Sequence, residues 1–223
     1  MTITETLRHS FAPPHPAGHG FILAGALAFL AGLAFAHWLA WIGGAFALAC
    51  LYFFRDPERV PPPRANLALA PADGRVLVVD AAVPPPELGL GETPRPRVAI
   101  FLSVLNVHVN RMPVAGTVKR IAYRHGKYLS ASLDKASTDN ERNALAVGLE
   151  DGRDVVVVQI AGLVARRVLC DVHEGERVEA GQRFGIIRFG SRTELYLPEG
   201  VAPLVAVGQT MIGGETVIAD LGA

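Results

Sequence analysis

The longest apolar segment, residues 20–54, constrains the fold more than any other feature of this 223-residue chain. It contains no Asp, Glu, Lys or Arg, and His37 is its only side chain that can be charged near neutral pH. As one straight helix it would be about 50 Å long, whereas the hydrocarbon core of a bilayer is about 30 Å thick. The segment therefore predicts two shorter helices, broken near His37 or Gly43-Gly44.

The residues around this segment favour a membrane anchor that is retained. A cleaved signal peptide is the alternative, but the run is too long and continues into charged residues without a small-residue cleavage pattern. Basic residues next to an anchor tend to stay in the cytoplasm, which places Arg55, Arg59 and Arg64 there. We expect an N-terminal tail (1–19), an anchor (20–54), a linker (55–66) and a domain (67–223) on the cytoplasmic face of the cell membrane.

The remainder of the chain is typical of a mainly β fold. Pro61-Pro62-Pro63 and Pro84-Pro85-Pro86 interrupt regular structure, because proline removes a backbone donor and fixes φ. Between such breaks lie short runs rich in β-branched residues, which predict strands: residues 76–79, 98–102, 117–123, 155–160, 163–169, 184–187 and 204–207. The polar segment 134–143 is predicted to be a loop with one helical turn. We expect a small β-sandwich or barrel-sandwich-hybrid domain behind the N-terminal helical anchor.

Residues 172–182 are similar to the glycine-containing turn of biotinyl and lipoyl carrier domains. A non-catalytic, membrane-tethered module of this kind is therefore one functional hypothesis. Carrier domains present a lysine on the hairpin after this turn, but this chain has no lysine after Lys135. Residues 189–192 occupy the corresponding position instead.

Composition limits the remaining classes of function. The 21 basic and 21 acidic residues cancel, so no excess of positive charge favours nucleic-acid binding. Cys50 and Cys170 are too few and too far apart to predict a disulfide framework or a zinc site, and a reducing compartment is the simplest expectation. No pattern in the sequence supports a metal enzyme.

Six short segments, in order, resemble the phosphatidylserine decarboxylase family in its short, membrane-anchored, pyruvoyl-dependent form. The resemblance extends from about Phe21 to Leu221. The segments are Phe53-Phe54-Arg55-Asp56-Pro57, Pro71-Ala72-Asp73-Gly74, residues 106–111, residues 140–143, residues 159–167 and Phe189-Gly190-Ser191.

The resemblance implies a proenzyme that cleaves itself between Gly190 and Ser191. The Ser191 hydroxyl would attack the Gly190 carbonyl, and elimination from the resulting ester would leave dehydroalanine, which hydrolyses to an N-terminal pyruvoyl group. Residues 1–190 and 191–223 would become a large and a small subunit. Glycine suits this position because it has no Cβ to obstruct attack and tolerates strained backbone.

In the mature enzyme, the resemblance implies, the pyruvoyl group derived from Ser191 forms a Schiff base with the serine headgroup of phosphatidylserine. Loss of CO2 then yields phosphatidylethanolamine, with no metal and no pyridoxal phosphate. The same chemistry on an ether-lipid serine headgroup remains an alternative. A homodimer is expected by analogy with the family.

Three further residues are candidates for the site. Asp73 and His108 could meet Ser191 as an orienting carboxylate and a base, although Asp before Gly is common in turns and an isolated His is often structural. Longer family members resemble His-x-x-His where this chain has His108 and Arg111. Arginine stays protonated and cannot act as a general base, so either His108 serves both self-cleavage and decarboxylation or another group assists the first step. Arg111 itself is a candidate for binding the substrate's phosphate or carboxylate, with a structural ion pair as the alternative.

Overall fold

A computed structural model describes residues 12–126, 140–162, 167–188 and 191–222. The chain divides into two compact units, Met1–Glu58 and Arg59–Ala223. Each unit is described by itself below.

The first unit is a pair of helices, α1 (His19–Phe35) and α2 (His37–Phe53), after a short 3-10 turn at Pro16–Gly18. The chain leaves helical geometry at Ala36, which has φ −161° and ψ 102°. Small residues let the two helices approach closely, since a Cβ on Gly43 would lie 2.5 Å from the backbone nitrogen of Phe29. This hairpin of helices has no space for larger side chains at that contact.

The outer surface of the hairpin is apolar. Phe35 is 88% exposed and Trp41 is 81% exposed, which is the reverse of the burial in a water-soluble core. The helical stretch Pro16–Phe35 has 20 residues and is apolar enough to cross a bilayer, while His37–Phe53 is shorter. This unit is therefore consistent with a membrane anchor.

The described part of the second unit forms thirteen strands, all paired antiparallel. The strands are β1 (Leu67–Leu69), β2 (Gly74–Ala82), β3 (Arg95–Leu102), β4 (Val109–Arg111), β5 (Gly116–Arg124), β6 (Arg142–Gly148), β7 (Asp154–Ala161), β8 (Val168–Cys170), β9 (Arg177–Val178), β10 (Arg183–Ile187), β11 (Ser191–Tyr196), β12 (Thr210–Met211) and β13 (Val217–Asp220).

These strands form a large sheet and two small ones. The large sheet has the order β12-β2-β3-β11-β7-β6-β5-β9, and the small sheets have the orders β4-β10-β8 and β1-β13. Alternate side chains of the large sheet, such as Ile100, Val157 and Leu195, pack in one buried core with Phe184 of β10 and Ile218 of β13. The core therefore lies where the three sheets meet, and the prediction of a mainly β fold behind an apolar helical segment is confirmed.

Several local predictions differ from the structure. Residues 204–207 form no strand, because the segment follows Pro203 and ends at Gly208, whose φ of +91° turns the chain. Pro96 lies within β3, where its carbonyl still accepts a hydrogen bond from Leu197. The 3-10 turn Pro86–Leu88 lies within the stretch that was predicted to lack regular helix.

The polar segment 134–143 was predicted to be a loop, and this is wrong for its C-terminal end. Arg142 and Asn143 begin β6 and are buried, and Asn140 forms a β-bridge rather than a helical turn. Strand formation there is supported by pairing of Arg142 with Ile160 and of Asn143 with Gln159. The rest of that loop, residues 134–139, and residues 163–166 of another predicted strand lie outside the described residues.

Candidate active site

Ser191 is the first residue of β11, a central strand of the large sheet. It pairs with Leu102 at the end of β3 and with Ala161 at the end of β7. The residue is fully buried, and its hydroxyl has no hydrogen-bond partner among the described residues. A buried hydroxyl without a partner costs free energy, so its presence at a strand end indicates a functional position. Gly190 lies outside the described residues.

Ser191 lies at the end of the large sheet where β11 begins and where β3 and β7 finish. β2 begins with Gly74 at this same end, because Arg75 pairs with Phe101, the residue before Leu102. A Cβ on Gly74 would lie 2.2 Å from the Phe101 carbonyl oxygen, so only glycine permits this close approach. The segment 71–74 is thereby held beside the end of β3, next to the strand that begins with Ser191.

His108 is buried and immediately precedes β4. Its carbonyl accepts a hydrogen bond from the Ile187 amide at 3.3 Å, four residues before Ser191. Its Nδ1 lies 3.0 Å from the Asn106 carbonyl oxygen. A carbonyl only accepts, so in the neutral ring the proton is on Nδ1 and Nε2 is the nitrogen that can take up a proton.

Asp73 lies in the turn before β2 and is held on both carboxylate oxygens. Arg59 donates to Oδ2 at 2.8 Å, and the Gly213 amide donates to Oδ1 at 2.8 Å. The neighbouring Pro71 carbonyl accepts a hydrogen bond from the Arg111 amide, which joins this turn to β4. The turn that carries Asp73 is therefore joined to β4, the strand that follows His108. The carboxylate of Asp73 itself is bound by Arg59 and by the Gly213 amide.

Arg111 is buried at the end of β4. Its Nη1 donates to the Gly181 carbonyl at 3.0 Å, and its Cδ lies 2.7 Å from the position that a Cβ on Gly214 would occupy. A side chain whose aliphatic part packs against Gly214 and whose guanidinium donates to a carbonyl stabilises the local fold. These contacts favour a structural role over substrate binding.

Sequence reasoning missed a buried amide cluster beside Ser191. The Asn143 amide donates to Gln159 Oε1 at 3.0 Å, and the Gln159 amide donates to Asn110 Oδ1 at 2.8 Å. Thr193 pairs with Gln159 one inward-facing position along β11 from Ser191. Within the described ranges, Asn110 Nδ2 and Thr193 Oγ1 have no hydrogen-bond partner. Polar residues at inward positions of apolar strands were the signal that could have revealed this cluster.

Sequence reasoning also missed a charged chain on the opposite face of β11. Glu194 accepts from Arg192 at 2.8 Å, from Arg97 at 3.3 Å and from the Tyr196 hydroxyl at 2.8 Å, and Arg97 continues to Asp80. Burial and the Glu194 charge raise the pKa of Tyr196. Burial alone would lower the pKa of Arg97, but Asp80 and Glu194 raise it. These charged side chains fix the position of the residues that follow Ser191.

A surface cleft of about 640 Å³ lies elsewhere in this unit, between the linker and the turn after β6. Gly148 and Asp151 line it, and Gly148 is at the end of β6 opposite to Arg142. Arg142 pairs with Ile160 and Ser191 pairs with Ala161, so both residues lie at the C-terminal end of β7. The cleft lies at the other end of β6 and is therefore separate from Ser191.

Fold and site together define a mainly β protein with an apolar helical hairpin, a buried serine that begins a central strand and a buried histidine that precedes β4. The family profile described as phosphatidylserine decarboxylase matches residues 46–219. The chain belongs to the phosphatidylserine decarboxylase family.

Individual relatives agree with this assignment. The chain is 68% identical over 221 residues to the phosphatidylserine decarboxylase proenzyme of Granulibacter bethesdensis, covering 99% of this chain and 91% of that protein. It is 62% identical over 225 residues to the proenzyme of the same name from Gluconacetobacter diazotrophicus, covering 99% and 100%. The proenzyme of Gluconobacter oxydans is 60% identical over 226 residues, with 99% and 100% covered.

Proposed function

We propose that this chain is a self-processing decarboxylase that converts phosphatidylserine to phosphatidylethanolamine and CO2. The observation that carries the proposal is Ser191, a buried serine with no hydrogen-bond partner among the described residues, in a chain 68% identical to a phosphatidylserine decarboxylase proenzyme. The term proenzyme in the relatives' names supports cleavage of this chain as well.

Self-cleavage begins with attack of the Ser191 hydroxyl on the Gly190 carbonyl. The bond from the Gly190 carbon to the Ser191 nitrogen is exchanged for an ester, and elimination releases Gly190 as a new carboxylate. The dehydroalanine left at position 191 takes up water and loses ammonia to give the pyruvoyl group. A serine hydroxyl is a weak nucleophile, so a base must accept its proton.

His108 is the proposed acid and base. The hydrogen bond at Nδ1 orients the ring, and Nε2 is the proposed site of proton transfer. Its bond to Ile187 anchors it to the strand that leads into the cleavage site. Asp73 is proposed to act as the orienting carboxylate. It lies in the turn before β2, where Arg59 and the Gly213 amide hold it. A contact of Arg111 with substrate remains the least supported assignment, because Arg111 donates to Gly181.

The position of Ser191 fits a prosthetic group made from its own side chain. Residue 191 begins a strand that is paired on both sides, so a new chain end there stays in register with β3 and β7. When present, the pyruvoyl group supplies an electron sink for the carbanion left by decarboxylation. The protein residues hold the headgroup, exclude water and return a proton.

The apolar helices are proposed to keep the enzyme in the cell membrane with the second unit on the cytoplasmic side. Arg55, Arg59 and Arg64 after the hairpin support this orientation. A homodimer stays a prediction that depends on the resemblance.

Replacement of Ser191 by Ala tests the proposal. Ser191→Ala removes the nucleophile and the source of the ketone, so we expect a full-length chain with no decarboxylation above background, measured by denaturing gel and by release of CO2 from labelled phosphatidylserine. Thr117→Val is the control. It removes a hydroxyl at an exposed position of β5, in the cleft that is separate from Ser191, so cleavage and turnover should be retained. Normal turnover by Ser191→Ala would reject the pyruvoyl mechanism.

A further inference from the structure

We propose that the turn at residues 103–106, here named the apolar turn, enters the interfacial region of a phosphatidylserine-containing bilayer during catalysis. The partner is the lipid surface itself. The inference depends on the proposed function, since it concerns how a lipid headgroup reaches Ser191.

The tip of the apolar turn exposes two large apolar side chains. Val104 is 53% exposed and Leu105 is 64% exposed. The turn is tight, because the Asn106 amide donates to the Ser103 carbonyl and Asn106 Oδ1 accepts from the Ser103 amide, both at 2.9 Å. Tight turns usually carry Gly, Pro, Asn, Asp or Ser at the tip. Val-Leu at this tip therefore requires a reason outside the turn itself.

The apolar turn directly connects two parts of the candidate site. Leu102, just before it, pairs with Ser191, and the Asn106 carbonyl at its end holds His108. Leu105 is three residues from both Leu102 and His108, which limits either Cα separation to about 11 Å. An apolar surface so close to Ser191 can lie against the acyl chains of a lipid while the headgroup of the same lipid reaches the end of the sheet at Ser191.

Positive charge near the same end of the sheet complements a lipid that carries net negative charge. The Arg188 amide donates to the Arg167 carbonyl at 3.4 Å, and Arg188 follows Ile187, which bonds to His108. Burial and the Arg167 charge lower the pKa of Arg188. Basic groups attract anionic lipids, and apolar side chains add affinity by leaving water. This combination selects a membrane surface over an uncharged protein partner.

The test compares a bilayer substrate with a monomeric one. The full chain is reconstituted in phosphatidylcholine vesicles that contain increasing mole fractions of long-chain phosphatidylserine, and separately given dihexanoyl phosphatidylserine below its micelle concentration. For Leu105→Ser we expect the half-saturating mole fraction in the bilayer to rise about fivefold, because an apolar side chain no longer leaves water. Self-cleavage and kcat/KM for the monomeric substrate should stay within about twofold of wild type.

Two further variants make the result decisive. Leu204→Ser is the same substitution at a residue that is also 64% exposed, beside β13, and should behave as wild type on both substrates. Leu105→Met keeps the apolar surface and should restore the wild-type mole fraction. An equal loss on bilayer and monomeric substrates would mean that the turn only shapes the site, and the proposal would be wrong. It would also be wrong if Leu105→Ser changed neither, or if Leu204→Ser gave the same loss.

Discussion

At the scale of single residues, the candidate site contains a buried hydroxyl with no hydrogen-bond partner among the described residues and a buried histidine whose ring is oriented by a hydrogen bond. Ser191 is buried where water does not compete for its hydroxyl, and His108 is held through Nδ1 by the turn at Asn106. In the proposed mechanism, a buried nucleophile and a fixed base lower the cost of reaching a reactive geometry. The hydrogen bond from the Ile187 amide to the His108 carbonyl would keep this proposed base near the strand that leads to residue 190.

Loss of the His108 ring should remove decarboxylation. For His108→Ala we expect turnover to fall by at least about 100-fold, because acid–base catalysis contributes that much or more. Turnover of phosphatidylserine and the ratio of cleaved to full-length chain should be measured together. His125→Ala is the control, since His125 is exposed in a turn after β5 and should leave both unchanged. Full cleavage with full turnover in His108→Ala would assign His108 to a structural role.

Sequence motifs made Ser191 and His108 candidates because these residues lie in short contiguous patterns. The amide cluster of Asn110, Asn143 and Gln159 was not predicted, because its members come from three strands and Gln159 is 49 positions from Asn110. Their proximity depends on strand register, which no local pattern specifies. The structural contacts of Arg111 were hidden for the same reason, since its partner Gly181 is 70 positions away.

At the scale of elements, β11 is a strand whose two faces do different work. Ser191, Thr193 and Leu195 face the core between the sheets, while Arg192 and Glu194 form a buried ion pair on the other face. Arg192 is 1% exposed, and its Nε and Nη1 have no partner among the described residues. The charge of Glu194 therefore carries much of the compensation for burying Arg192.

Removing the Glu194 charge should destabilise the protein strongly. Glu194→Gln leaves a buried arginine without its counter-charge, and we expect the free energy of unfolding to fall by about 3 kcal/mol. Glu150→Gln is the matched control, because Glu150 also bonds an arginine, Arg177, at 2.8 Å but both side chains are exposed. Its cost should be below about 1 kcal/mol. Urea unfolding of both variants in the same detergent checks this, and equal stability would contradict the account.

The strands that the sequence predicted best are those rich in β-branched residues, such as β3 and β7. The strand β11 was missed because Ser-Arg-Thr-Glu reads as a polar turn when its cross-strand ion pairs are unknown. The whole of β6 was also missed, and at its polar start buried Arg142 is compensated by Glu87 in the distant 3-10 turn. Tertiary pairing overrides local polarity in both cases.

At the scale of the whole molecule, cleavage after residue 190 would not separate the two subunits. The small subunit begins with β11, which is hydrogen-bonded between β3 and β7 of the large subunit, and β12 and β13 pair with β2 and β1. The order of the strands within the sheets places strands of the two subunits next to each other. This order was not predictable, because neighbouring strands are distant in the chain. The mainly β class was predictable because it depends only on local composition.

Intact mass of the freshly purified full-length protein tests the central claim most directly, under native and denaturing conditions and with or without hydroxylamine. The account predicts one native species that separates on denaturation into residues 1–190 and 191–223. The smaller fragment should have a pyruvoyl end in place of serine and should gain one hydroxylamine adduct. A folded chain that remains whole, unmodified and unreactive would contradict self-processing at Gly190-Ser191 and favour a non-catalytic membrane-tethered module.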